Sequence, residues 1–366
     1  MAGNIGEKFI INSFGESHGK CIGVTIQGCP RNFKLSEKDI QRDLDRRRPG
    51  QSIVVTPRQE KDKVKILTGV INGKTTGEPI TMMIENKDVK SNGYERIKYR
   101  PRPGHADYPA WVKYGEQFDY RGGGIFSGRI TASYVMAGGV AKKLLKEKLG
   151  MEIIGHTIQI GGINVNRKKI TPEMIKRNTE RNIVRCADPQ KAKLMIRKIK
   201  KAKGNGDSVY GIVEGIALNV PVGLGGPTFD SFKGDIAKYL MLIPGVKGVS
   251  FGEYANIWFK KKILPDEYRF NNGKIVAKRN IDGGVVGGLT NGMPIICQVL
   301  FKAPFPGFKK YKTVDIKTEK DVTVKKANNS ESRDDPCIVP RAVPVIEAMM
   351  ANCIVDHAFR SGIIEF

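Results

Sequence analysis

The stretch RPGHADYPAWVKYGEQFDYRGGGIFSGRITAS, residues 102–133, gathers a histidine, several arginines and a triple glycine in one span. Packing alone does not ask for that mixture. Pro103 and Gly104 break the backbone ahead of His105, so its imidazole reads as a loop side chain and not as part of a buried face. Gly122, Gly123 and Gly124 remove three consecutive Cβ atoms just before a helical pattern, which lets backbone N–H groups approach an anion or a flat ring beside a helix N-terminus. A local hydrogen bond for the histidine and a tight turn for the glycines account for the same residues, since neither feature is specific by itself. The span matches neither GxxxxGK[ST] nor GxGxxG, which sets both nucleotide folds aside. Beyond it, Val135, Met136, Val140, Leu144 and Leu145 recur at helical spacing over residues 131–149. Gly138-Gly139 in the middle of that helix predicts close contact with a neighbouring element, because glycine there costs about 1 kcal/mol against alanine.

Upstream, residues 8–14 and 21–27 read as strands joined by Gly15-Glu16-Ser17-His18-Gly19, a joint too long and too polar for a simple hairpin turn. His18 fits a working loop and a self-bonded turn equally well. Ser36 followed by Asp39 predicts a helix start, and Pro49-Gly50 stops that helix just after Arg46, Arg47 and Arg48. Three arginines there either complement the helix dipole or form an anion clamp. Residues 64–70 and 79–85 read as further strands.

Downstream, residues 151–163 are strand-like, with His156 expected to bond locally. Thr171-Pro172 and Asp188-Pro189 each open a basic helix, the second ending at Gly204. Strands follow over 209–220, 249–251 and 294–301, with a short helix near 235–242. The glycine pairs at 283/284 and 287/288 fit either the approach of a flat ligand or a buried crossing of two backbones. A last helix is predicted from about Pro344, with His357 on a surface or an interface. Strands and helices alternate irregularly with antiparallel spacing and no linker, so the expectation is one large mixed α+β domain over residues 1–366.

A chain of 366 residues with 40% hydrophobic content buries a large core. No run of about 18 apolar residues suggests a bilayer span, and the opening MAGNIGEKF lacks a signal segment, so the reading is a soluble, cytoplasmic protein with no membrane partner. The six cysteines show neither CxxC spacing nor scaffold density and read as reduced and mostly buried. No histidine sits at metal spacing, so no metal is expected. The net charge of +25 asks for anionic partners. Neither interleaved aromatics nor a reading helix accompanies that charge, which argues against nucleic acid.

With these residues in view, the chain resembles the chorismate synthases. FGESHG (14–19), DLDRRRPG (43–50), RPGHADY (102–108), YRGGG and FSGRITA (120–132) carry the likeness. So do VKGV (246–249), the glycine pair 287/288 before NGMPI, and RDDPCIVPRAVPVIEAM (333–349). The resemblance implies a β-α-β sandwich with helices held between antiparallel sheets, assembled as a homotetramer. It also implies a lyase of the shikimate pathway that needs reduced FMN (FMNH2), with NADPH a candidate reductant. The reaction would be the 1,4-anti elimination of phosphate from 5-enolpyruvylshikimate 3-phosphate to give chorismate.

By the same likeness His18 would protonate the departing phosphate, His105 would protonate or hydrogen-bond the reduced flavin, and Asp335 would assist removal of the C6 proton. Ser17, Arg47, Arg48 and Arg129 would surround the substrate. Ile125, Phe126, Ser127, Pro244, Gly245, Gly287, Lys302, Ala303, Pro304, Phe305, Pro306 and Arg333 would line the flavin site, with Ser127 and Arg333 also near the substrate. The chain departs from the family pattern at Ile125, Asp334 and Gly226, and around Ile53, where a second arginine is usual. Those departures motivate a second reading, a family member that has lost catalysis and survives as a flavin- and anion-binding protein. A basic nucleic-acid binder is a third reading that rests on charge alone.

Overall fold

The computed structural model describes residues 3–56, 58–253, 265–305, 310–325 and 335–365. Seven α-helices form among them: α1 (Glu37–Arg47), α2 (Asp107–Tyr114), α3 (Thr131–Leu149), α4 (Pro172–Asn178), α5 (Pro189–Gly204), α6 (Phe232–Met241) and α7 (Val339–Arg360). Two five-stranded antiparallel sheets enclose the central ones. The first runs Asn4–Ile5, Ile10–Gly15, Cys21–Gln27, Ile80–Glu85, Val64–Ile66 in spatial order. The second runs Val246–Phe251, Ile295–Phe301, Gly211–Leu218, Glu152–Ile160, Ile163–Asn164. Helix α3 packs on the first sheet and α7 on the second, and the two helices pack on each other. The sandwich of helices between antiparallel sheets is therefore the architecture present.

Period-two burial explains the first sheet. Ile22, Val24 and Ile26 and their neighbours Ile80, Met82 and Ile84 turn fully buried side chains towards the helices, while the alternate side chains of Thr25, Thr81, Met83 and Glu85 are less covered. The second sheet meets α7 at three glycines, because a Cβ on Gly215 would lie 2.4 Å from Met350 Sδ, one on Gly211 2.9 Å from Val339 Cγ2, and one on Gly155 would press on Val343 and Glu347. Its opposite face carries a buried row, His156 opposite Glu214 opposite Gln298. His156 thus bonds across the sheet, Nε2 to Glu214 Oε1 at 3.3 Å, and not within its own turn as the sequence suggested.

The close contact predicted at Gly138 is the crossing of α3 and α7. A Cβ there would fall 2.3 Å from Ala348 Cβ, and Gly139 faces the α1 backbone at Ile40, 3.1 Å away. Gly138→Ala gains about 1 kcal/mol in helix propensity. It loses about 1–3 kcal/mol to overpacking, with more expected here because the contact includes backbone. We expect a net loss, read as a lowered urea midpoint, and an unchanged or raised midpoint would mean the helices move apart without strain.

Helix α7 begins at Val339, five residues before the predicted start. Pro344 lies inside it, where proline has no N–H for the Pro340 carbonyl. Arg185 Nη1 takes that carbonyl at 2.9 Å, so the helix passes through the proline with the oxygen satisfied. By length and composition α7 also suffices to cross a membrane, and its apolar window is wholly buried in the protein, as for a core helix. His357 is buried on α7 and not on a surface, with Nε2 2.9 Å from Asp235 Oδ2. Gly283 and Gly284 meet the backbones of Gly252 and Pro294, so this pair serves a backbone crossing. Of the six free cysteines, only Cys21 is not fully buried.

Candidate active site

The polar joint between the second and third strands of the first sheet is held from three sides. Ser17 N–H donates to Gly124 O at 3.2 Å, Asn86 Nδ2 donates to Glu16 O and Gly19 O at 3.0 and 2.9 Å, and the Arg58 guanidinium donates to Ser17 O at 3.3 Å. The loop is a rigid shelf for His18. Its Nδ1 lies 3.0 Å from Ser91 Oγ, and its ring meets Tyr94 edge-on with centroids 5.1 Å apart. The triple glycine closes over it. With φ of 61°, Gly122 needs the left-handed region, and a Cβ there would fall 2.7 Å from His18 Nε2 and 2.8 Å from Ser17 Oγ. The glycines therefore make room for the histidine shelf as well as baring backbone.

Three arginines leave α1 in three directions, as consecutive helical residues must at about 100° apart. Arg46 turns into the helical layer and bonds Glu347. Arg47, 1% exposed, turns to Asp62, Thr131 and the carbonyls of Gly128 and Arg129. Arg48 is half-buried and does not line the cleft.

Asp62 is buried between Arg129 Nη1 at 2.5 Å and Arg47 Nη1 at 3.3 Å. Burial opposes its charge, but those two arginines prevail and its carboxyl stays below the usual range. Arg47 is pushed well below its ordinary value, first by burial and then by Arg341, against the pull of Asp62. Arg129 keeps its buried Nη2 without a hydrogen-bond partner. This nest is short of negative charge and has a donor to spare, which suits a phosphate or carboxylate.

His105 stands in the loop that precedes α2. Asp107 pins that loop by accepting Arg102 Nε at 2.7 Å and Nη2 at 2.9 Å, and Lys302 Nζ donates to Gly104 O. Phe305 meets the imidazole edge-on at 5.9 Å. The ring is open to solvent on one side, yet the surrounding protein and then Arg102 lower its pKa to about 4. It is neutral at pH 7. Asp335 bonds Arg341 Nη1 through Oδ2 at 3.0 Å, and burial raises its pKa in spite of that arginine.

One cleft of about 1340 Å³ contains His18, His105 and Asp335 in its wall, with Ser17, Arg47 and Arg129. Ile125, Phe126, Ser127, Pro244, Gly245, Lys302, Pro304 and Phe305 line the same cleft. Ala303 and Gly287 do not, and Gly287 sits in an open turn with nothing within 4 Å of an added Cβ. Pro306, Arg333 and Asp334 lie outside the described residues. The cleft's apolar side and its size suit a flat tricyclic ring beside a small anionic one.

Sequence reasoning missed Arg58, Arg341, Ser91 and Tyr94. Arg58, Glu60 and Asp62 are all buried charges at alternate positions, and that alternation without apolar partners was the available signal. Ile53 is 57% exposed and away from the cleft, whereas Arg58 brings a guanidinium to its wall. Gly226 is also remote, and a Cβ there would meet Asp230 Cβ at 2.9 Å.

A cleft that pairs an anion nest with proton-carrying side chains, on a fold of helices between antiparallel sheets, suits an enzyme that eliminates or transfers an anionic group. The chorismate synthase family model matches residues 9–359. The chorismate synthase of Korarchaeum cryptofilum (strain OPF8) is 47% identical over 364 residues, 99% of both chains. That of Methanosarcina mazei is 45% identical over 367 residues, all of this chain and 98% of the relative. A crystal structure of chorismate synthase superposes with a TM-score of 0.75 at 31% identity, covering 98% of this chain and 93% of that one. The chain belongs to the chorismate synthase family. Its activity is the lyase reaction of aromatic biosynthesis that forms chorismate, in a family that is generally flavin-dependent.

Proposed function

We propose that the cleft holds reduced FMN and 5-enolpyruvylshikimate 3-phosphate together and performs the 1,4-anti elimination of phosphate. The observation that carries this reading is the meeting of His18, His105 and Asp335, distant along the chain, on one cleft walled by arginines. Bound reduced FMN supplies electron density that eases cleavage of the C3–O bond and is recovered as the C6 hydrogen leaves.

The protein does the rest. His18 protonates the departing phosphate, a proton-donor role to which imidazole side chains are suited. Asp335 takes part in removal of the C6 proton, and the raised pKa that burial confers makes it a stronger base than a surface carboxylate. His105, neutral at pH 7, holds the flavin by a hydrogen bond. Arg47 and Arg129 take the anionic groups of the substrate, and we add Arg58 and Arg341 to them. Ile125, Phe126, Pro304 and Phe305 give the flavin an apolar wall and keep water from it. The presence of His18 and Asp335 on the same wall favours this reading over a flavin- and anion-binding protein without catalysis, because binding an anion alone calls for no proton-carrying groups.

An anaerobic assay with photoreduced FMN tests it. Stoichiometric release of phosphate and chorismate is expected, and substrate binding without phosphate release would refute it. The same assay with oxidised FMN and NADPH reads whether the protein reduces its own flavin. By family likeness we also propose a cytoplasmic homotetramer, which light scattering checks.

A further inference from the structure

We infer that Ser91 is a positioning residue for the acid step, holding the His18 ring by its Nδ1 so that Nε2 is the nitrogen presented beside Gly122. The inference rests on the role proposed for His18. Three contacts carry it. Ser91 Oγ lies 3.0 Å from His18 Nδ1. The edge of the ring meets Tyr94 at 5.1 Å, with interplanar angle 81°, which fixes its tilt. On the far side, the missing Cβ of Gly122 leaves room for Cδ2 and Nε2, which would otherwise be 2.5 and 2.7 Å from it. Ser91 itself does not line the cleft, so its reach to the chemistry is through the imidazole.

A hydroxyl oxygen suits this place in a way that an amide N–H does not, because Nδ1–H needs an acceptor. It accepts from Nδ1–H while the ring is protonated, and it goes on accepting from Nδ1–H in the neutral ring left after Nε2 has given up its proton. The ring is thus held in one orientation before and after it gives up a proton, and the proton is lost from Nε2. Because the hydroxyl oxygen stabilises the imidazolium, removing it disfavours the charged form. The backbone supports the arrangement, with Ser91 standing immediately before the two-turn 3-10 segment Asn92–Ile97 and its carbonyl accepting Tyr94 N–H at 2.9 Å.

The test is a histidine NMR titration of the full-length protein, whose four histidines give a simple spectrum, with His18 assigned from a His18→Asn variant. In Ser91→Ala the His18 pKa is expected to fall by roughly half to one unit, and the neutral ring to lose its preference for the Nδ1–H tautomer. Ser91→Thr, which keeps the hydroxyl, is expected to restore both. The charged groups of the loop and cleft wall, Glu16, Arg58, Lys90, Glu95, Arg102 and Arg121, are the same in all three proteins, so the shift reports the hydroxyl. Turnover is read alongside, and its alkaline limb is expected to move down with the NMR value while KM changes little. An unchanged pKa and tautomer in Ser91→Ala, with the fold intact by its amide spectrum, overturns the inference. A shifted NMR pKa with an unmoved turnover limb supports the role of Ser91 and refutes the acid role of His18.

Discussion

Replacing His18 by alanine is expected to lower kcat by about 100- to 10,000-fold, the range for loss of a positioned general acid. The protein should remain folded. His18 stands on a loop fixed by Ser17, Asn86 and Arg58 backbone and side-chain bonds that do not involve the imidazole, so its loss removes no support for the shelf. The change in stability is expected within about 0.5 kcal/mol, as for a residue outside the core. KM should move little, because the anion nest of Arg47, Arg129 and Asp62 is untouched. Single-turnover kinetics with reduced FMN separate the chemical step from binding. A kcat within a few-fold of wild type would remove His18 from the mechanism. His105→Ala is expected to be slow for a different reason. With Arg102 and Lys302 beside it and a pKa of about 4, this ring is neutral at pH 7 and contributes a hydrogen bond, so its loss should show in flavin affinity as well as in kcat.

The contrast between those two histidines shows how far the sequence alone could be read. Chain breakers beside His105 and the polar joint around His18 marked both as loop residues, and that much is local chemistry. Their convergence was not legible locally, since it depends on how the first sheet and the end of the Ile295–Phe301 strand are brought together by α3 and α7. Helix α3 was readable to its ends because its apolar residues keep helical spacing across all 19 residues. Helix α7 was misread at its start because Pro344 is a helix breaker in isolation, and only Arg185, 155 residues away, satisfies the carbonyl it leaves. His156 and His357 failed in the same way. Each is buried with a carboxylate partner from a distant segment, Glu214 and Asp235, that no local pattern announces. The arginine run after α1 looked like one clamp, but helical geometry sends Arg46 and Arg47 to different places, and only Arg47 reaches the cleft.

Arg46 leads to the second large effect, a loss of stability in Glu347→Ala. Glu347 lies on α7 with its side chain 3% exposed and accepts Arg46 Nη1 at 2.5 Å, Arg46 Nη2 at 2.8 Å and Lys142 Nζ at 3.0 Å. Lys142 also bonds Asp43 at 2.9 Å, so α1, α3 and α7 share one charge network. Burial alone would raise the Glu347 pKa, but Arg46 and then Lys142 outweigh it and hold it at about 2. A carboxylate with a depressed folded-state pKa stabilises fully above its unfolded value near 4.5 and loses that contribution as pH falls towards 2. Acid unfolding should therefore include this group between those limits, and the wild-type advantage over Glu347→Gln should shrink across the same window. At pH 7, removing the carboxylate leaves Lys142 with Asp43 alone and Arg46 with Asp43 and the outer Glu180, so the loss is expected to approach, without exceeding, the about 3–5 kcal/mol of a buried pair broken with no other partner. Urea unfolding measures it. The double variant Glu347→Ala/Lys142→Met removes the excess positive charge and is expected to regain part of the loss, as coupled neighbours do. Equal stability of the single variant and wild type would show that water reaches this layer, and that the three helices are held by their apolar contacts and the Gly138–Ala348 crossing alone.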